Sequence, residues 1–156
     1  MKLSYKIVIA YTSSLILLYK INELEILKQL FEEVYVTEDI AREFGKELPE
    51  WIMVKPVIDQ NYKKILQIEV DEGESSAMAL HVNLPGSILI LDDLKARKIA
   101  DKLGLKYTGT FGVLLRARKI GLINELKPII EKIKATNFRF SSELFRIILN
   151  STLPDL

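Results

Sequence analysis

The sequence predicts a three-layer αβα sandwich, with helices covering both faces of a central, mostly parallel sheet. Three observations lead there. Short β-rich runs recur at Lys6 to Ala10, at Tyr35 with Val34 and Val36, at Ile52 to Val54 and at Ile88 to Leu91. Most of these runs are nearly continuously apolar, as strands buried on both faces must be. Longer segments of helical periodicity lie between them, and strands alternating with helices imply βαβ units with right-handed crossovers. A length of 156 residues suits one domain, which we place at residues 1–150, with a fraying tail at 151–156.

Each element has its own local signal. Leu15, Leu18 and Ile21 fall at helical spacing, and Leu24, Leu27 and Phe31 resume after a turn at Asn22, which reads as two consecutive helices. Glu38 to Phe44 is a helix closed by Gly45. Asp71-Glu72-Gly73-Glu74 opens a helix that runs through His81, its acids lying in the first turn where the helix dipole favours them. Pro85-Gly86 ends that connection. Leu94 to Leu103 is a helix with Gly104 just past its end, a stop signal. Phe111 to Ile120, Pro128 to Ala135 and Ser142 to Asn150 supply three more.

Composition removes several classes of function. The absence of Cys rules out a disulfide framework, a thiol nucleophile and a thiolate zinc site, and the lone His81 cannot form a histidine cluster. Any metal would be held mainly by oxygen. No G-x-G-x-x-G follows the first strand, no G-x-x-x-x-G-K-[ST] occurs, and no G-x-S-x-G elbow precedes a helix. Dinucleotide oxidoreductases, P-loop NTPases and serine hydrolases are thereby set aside. The richest apolar stretch, Ser14 to Tyr19, is cut at Lys20, far short of a membrane span. The basic then apolar start lacks a small-residue cleavage site, so it is read as a buried strand and the chain is expected in the cytoplasm.

A net charge of +1 hides two opposed halves: residues 1–93 carry 9 basic against 16 acidic side chains, and residues 94–156 carry 13 against 5. The acidic half suits a divalent metal and the basic half phosphate, although solvated helix surfaces explain the same bias. Ligands of parallel sheets collect outside the carboxyl ends of the strands, and Asp92 and Asp93 follow Leu91 at such a place. Asp93 can cap the next helix, which accounts for one aspartate of the pair. Glu74 sits in a first helical turn beside the small residues Ser75, Ser76 and Ala77, and Glu43 sits near a helix end, where its charge opposes the dipole. Thr110 can cap the helix starting near Phe111 and leave N–H groups for a phosphate, with Arg116, Arg118 and Lys119 following on that helix. His81 and Trp51 are given packing roles.

Four blocks, in order, resemble a PIN-domain subgroup. Val8-Ile9-Ala10-Tyr11-Thr12-Ser13-Ser14-Leu15-Ile16 is similar to V-I-S-D-T-S-P-L-I, and Asp71 to Ala77 is similar to a segment containing G-E-A-E-A. Leu91 to Arg97 matches L-D-D-x-x-A-R, and Thr108 to Leu115 matches T-G-T-x-G-V-L-L. The resemblance implies a metal-dependent endoribonuclease like the toxins of toxin and antitoxin pairs, using Mg²⁺ or Mn²⁺ to activate water against an RNA phosphodiester. It implies Glu43, Glu74, Asp92 and Asp93 as catalytic acids, with Glu74, Asp92 and Asp93 as metal ligands, and Ser13, Thr110, Arg116 and Arg118 as substrate-binding residues. The partners it implies are RNA and an antitoxin-like protein; a homodimer is the expected assembly. One position departs: Tyr11 stands where the family has its first aspartate, and a phenol does not supply the hard anionic oxygen that Mg²⁺ prefers. The alternative reading is a degenerate PIN domain that binds RNA or protein without cutting.

Overall fold

The computed structural model describes residues 6–138, so the expected helix at 142–150 and the tail at 151–156 lie outside the described residues. Five strands form one sheet in the order β3-β2-β1-β4-β5: β1 (Ile7–Ala10), β2 (Glu33–Thr37), β3 (Ile52–Lys55), β4 (Ser87–Ile90) and β5 (Tyr107–Thr108). All four pairings are parallel. Eight described helices connect and cover them: α1 (Thr12–Lys20), α2 (Glu25–Leu30), α3 (Glu38–Phe44), α4 (Gln60–Leu66), α5 (Glu72–Val82), α6 (Leu94–Leu103), α7 (Thr110–Lys119) and α8 (Lys127–Lys134). None of them is long and apolar enough to cross a membrane.

The strand order fixes the site. The chain moves outward from β1 through β2 to β3, then returns to the other flank of β1 as β4 and continues to β5. The connections after β1 and β4 therefore diverge and leave a crevice at their carboxyl ends, where open α/β sheets bind ligands. Ala10 pairs with Ile90, so the residues just beyond both strands open into the same crevice. Val8, Ile9 and Ala10 of β1 and Leu89 and Ile90 of β4 are wholly buried, giving those ends a rigid floor.

Helix α5 can lie close to this floor because its inner residues are small. Ser75, Ser76, Ala77 and Ala79 are fully buried. The hydroxyls are satisfied within the fold: Ser75 Oγ donates to Glu72 O and Ser76 Oγ to Gly73 O, and Ser76 also bonds Thr37 Oγ1. Lys63 of α4 reaches Asp39 Oδ2 at 2.9 Å, and Arg42 bonds Asp39 and Glu72, so α3, α4 and α5 are tied together by charge. On the far flank, Lys106 N–H donates to His81 Nε2 at 3.2 Å. That bond fixes the neutral tautomer with the proton on Nδ1, which then donates to Ser87 Oγ at 2.7 Å. The packing role expected of His81 is thus a hydrogen-bonded seam between α5, β4 and the approach to β5.

Two elements escaped the sequence reading. Strand β5 has two residues, too few for a periodic signal. Helix α4 buries only Leu66, so it carries no inward stripe to detect.

Candidate active site

The crevice is built by the first residues after β1 and β4 and by the starts of α5, α6 and α7. Asp71 caps α5: its Oδ1 accepts Glu74 N–H at 2.7 Å, while Glu74 Oε1 accepts Asp71 N–H at 3.2 Å. This reciprocal box satisfies two helix-end donors and fixes both carboxylates in place. Tyr11 Oη donates to the other oxygen, Asp71 Oδ2, at 2.5 Å. Glu43, reaching in from α3, accepts from Thr12 Oγ1 at 3.3 Å. Gly73 makes the assembly possible, because a Cβ there would overlap Glu43 Oε1 and stand 2.9 Å from Tyr11 Cε1.

Across the crevice, Asp92 accepts three hydrogen bonds. Thr110 N–H reaches its Oδ1 at 2.8 Å, and Thr110 Oγ1 and Ser14 Oγ reach its Oδ2 at 2.5 and 2.7 Å. Asp93 caps α6 with one oxygen, accepting Ala96 N–H at 2.9 Å. The Arg97 side chain donates from Nε to Leu91 O at 2.8 Å and lies over the Tyr107 ring, with its outer nitrogen against Gly109.

Electrostatics divide the carboxylates. Burial, with the charges of Asp71 and Asp93, pushes Glu74 up to about 7. Burial and the charge of Asp71 also raise Glu43. The Tyr11 phenol is held far above its ordinary range by burial, by its bond to Asp71 and by the charges of Glu74, Asp71 and Glu43. Glu43, Asp71 and Glu74 form no ion pair with a Lys or Arg among the described residues. The cluster is therefore acidic and uncompensated.

Several expected roles fall on neighbouring residues. Ser13 is exposed, and the hydroxyls that touch site acids are Thr12 and Ser14 on either side of it. Thr110 does not cap its helix: Gly109 holds the cap position, and Thr110 gives its N–H and hydroxyl to Asp92. Arg116 and Arg118 lie six and eight residues along α7 from Thr110, about 9 and 12 Å down the helix axis, and are not gathered with the acids. Arg97 is the cation that the structure sets at the crevice. Asp71 was legible only as an acid at the opening of a helix; its bond to Tyr11 spans 60 residues and has no local signal.

Glu43, Glu74 and Asp93 each keep one carboxylate oxygen outside any hydrogen bond among the described residues. No group of three acidic or histidine ligands converges on one point among the described residues, so these residues offer no closed metal cage. Mg²⁺ seldom uses one: it keeps several waters and takes one or two carboxylates plus substrate phosphate oxygens. The donor set fits that partial mode of holding.

A PIN-domain family model, that of the DUF3368 group, matches residues 7–152. The chain belongs to the PIN-domain family. No curated protein matches it. The five-stranded parallel sheet and its flanking helices are the PIN-like three-layer sandwich, and the match covers the whole of the crevice described above.

Proposed function

We propose that this PIN domain is a weak endoribonuclease dependent on Mg²⁺ or Mn²⁺, in which protein and RNA hold the ion jointly. The observation that carries this reading is the uncompensated acid cluster at the β1/β4 crevice, Glu43, Asp71 and Glu74 with Asp93 near enough to raise Glu74. Such a cluster repels phosphate on its own and accepts it together with a divalent cation. A bound ion would neutralise the phosphodiester and supply an activated water. The residues that would hold it are Glu74 and Asp93, with Glu43 beside them. Asp92 acts as a brace, tying α7 to α1 through Thr110 and Ser14. Arg97, fixed through Leu91 O and stacked on Tyr107, presents its guanidinium at the start of α7 for an RNA phosphate.

Tyr11 favours a second reading. Its phenolic proton already neutralises part of the Asp71 charge, and it deletes one carboxylate from the set. A PIN domain so altered binds without cutting.

Mn²⁺ titration by calorimetry, combined with cleavage of a short unstructured RNA, tests both readings. We expect weak Mn²⁺ binding and slow cleavage that EDTA abolishes, a loss of cleavage in Glu74→Gln, and a gain in both properties in Tyr11→Asp. Cleavage that is absent from the parent and from Tyr11→Asp, with RNA still bound, decides for the second reading. Tyr11→Asp that stays folded and changes neither property removes Tyr11 from the site.

A further inference from the structure

Away from the crevice acids, the flank of α7 carries a cavity with an apolar interior and a basic mouth. It holds about 230 Å³ between the end of α2, strand β4, the edge strand β5 and α7. Strand β5 is about 7 Å long against about 15 Å for α7, so the sheet stops short of underlying the whole helix and leaves room beside it. Leu30, Phe31, Ile88 and Val113 form the interior, each keeping less than a tenth of its surface exposed. Gly112 brings α7 close to β5, because a Cβ there would stand 2.5 Å from Thr108 Oγ1. None of the residues lining the cavity is acidic.

Size and lining select the occupant. Hydrocarbon walls give water too few polar partners, and an apolar cavity of ~150 Å³ already accepts one aromatic ring. Pockets for drug-sized ligands start at about 300 Å³. The space here suits a body of one or two fused rings. At the mouth stands Lys106. Its backbone N–H is held by His81 Nε2 at 3.2 Å, while its side chain is exposed and forms no ion pair among the described residues. Arg116, the other basic residue of the wall, is engaged within the chain, so the charge argument rests on Lys106. In sites of this kind a few polar groups at the rim orient an apolar body, and an ammonium without a partner selects an anionic head. We propose that this cavity binds a small organic acid, a monocarboxylate whose flat apolar body lies between α2 and α7 and whose carboxylate meets the Lys106 ammonium at the mouth. The proposal is independent of the ribonuclease reading, since the site contains none of the crevice acids.

Methyl-labelled full chain, followed by NMR at the signals of Leu30, Ile88 and Val113, tests it with three probes of one shape: indole-3-acetate, the neutral indole-3-ethanol and the cationic tryptamine. The acid is expected to shift those signals at concentrations about tenfold lower than the alcohol requires, with tryptamine the weakest. Lys106→Glu should weaken the acid about tenfold and leave the alcohol unchanged, and Lys106→Gln should bring acid and alcohol to equal affinity. Both variants alter an exposed side chain and spare the backbone bond to His81, so the unliganded spectrum should be preserved. No shift with any probe, or shifts confined to other methyl groups, would overturn the site. An alcohol that binds the parent as tightly as the acid, a preference for tryptamine, or an acid affinity indifferent to Lys106→Glu would overturn the ligand class.

Discussion

The two sides of the crevice handle negative charge in opposite ways. On the β4 side, Asp92 accepts three hydrogen bonds and has an arginine nearby, so its charge works as a fastener between α1 and α7. On the β1 side, Glu43, Asp71 and Glu74 crowd together and share the Tyr11 and Thr12 hydroxyls and two backbone amides, with no cation among the described residues. Acids of equal formal charge thus perform different tasks. Where three donors converge on one carboxylate beside an arginine, it holds the fold together; where several acids crowd together without a cation, their repulsion weakens the fold and keeps their affinity for an incoming cation.

If that contrast is right, removing the fastener has the largest effect. Asp92→Ala leaves Ser14, Thr110 N–H and Thr110 Oγ1 without their acceptor and should cost about 3 kcal/mol, measured by urea unfolding. A cost under about 1 kcal/mol would mean that water replaces Asp92 and that the two sides do not differ.

Glu74→Gln should act in the other direction. The folded carboxyl is raised from 4.5 to about 7, so the folded chain keeps a proton that the unfolded chain has released. Stability contributed by this group therefore falls as pH rises from about 4.5 to about 7. Gln can still accept Asp71 N–H but carries no charge. The variant should gain on the parent as pH rises through that window, by on the order of 2 kcal/mol, when unfolding is followed at pH 4.5 and pH 8. A constant difference between the two would contradict the raised value.

The two glycines offer a subtler comparison. An added Cβ at Gly109 meets the flexible end of Arg97, with Asp92 Oδ1 at 3.0 Å, whereas at Gly73 it meets Glu43 and the buried Tyr11 ring. Gly73→Ala should cost about 1–2 kcal/mol and Gly109→Ala under about 1 kcal/mol, with only the former displacing Glu43. Thermal melts of the pair suffice, and equal losses would mean that both walls yield alike. The smallest effect belongs to Tyr11→Phe, which removes one hydrogen bond to Asp71 and should cost about 1 kcal/mol or less. A cost well above that would make Tyr11 part of the scaffold.

The framework of this fold is legible in the sequence because it is written in local signals. Gly45 and Gly104 both end their helices with φ of 69°, a left-handed conformation that a chain reader infers from glycine past an amphipathic run. The continuous apolar runs of β1 and β4 announced strands buried on both sides, and the end of β4 located Asp92 and Asp93. What depended on facing was not legible. A helix turns by about 100° per residue, so the choice among Thr12, Ser13 and Ser14 rests on a rotation that no motif specifies. The same limit applies along α7, where Thr110 and Arg116 share one element but not one end. Helix α4 was hidden for a different reason: it buries Leu66 alone while Ile65 looks outward, so the core imposes no period on it.

The reciprocal cap of α5 ties occupancy of the crevice to fraying of a helix end. The Glu74 carboxylate, which would offer a cation its free oxygen, holds the Asp71 amide at the start of the helix with the other. Filling the site therefore competes with the first turn. Hydrogen exchange at the amides of Asp71 and Glu74 should quicken as the ion enters, even while the molecule as a whole becomes harder to unfold.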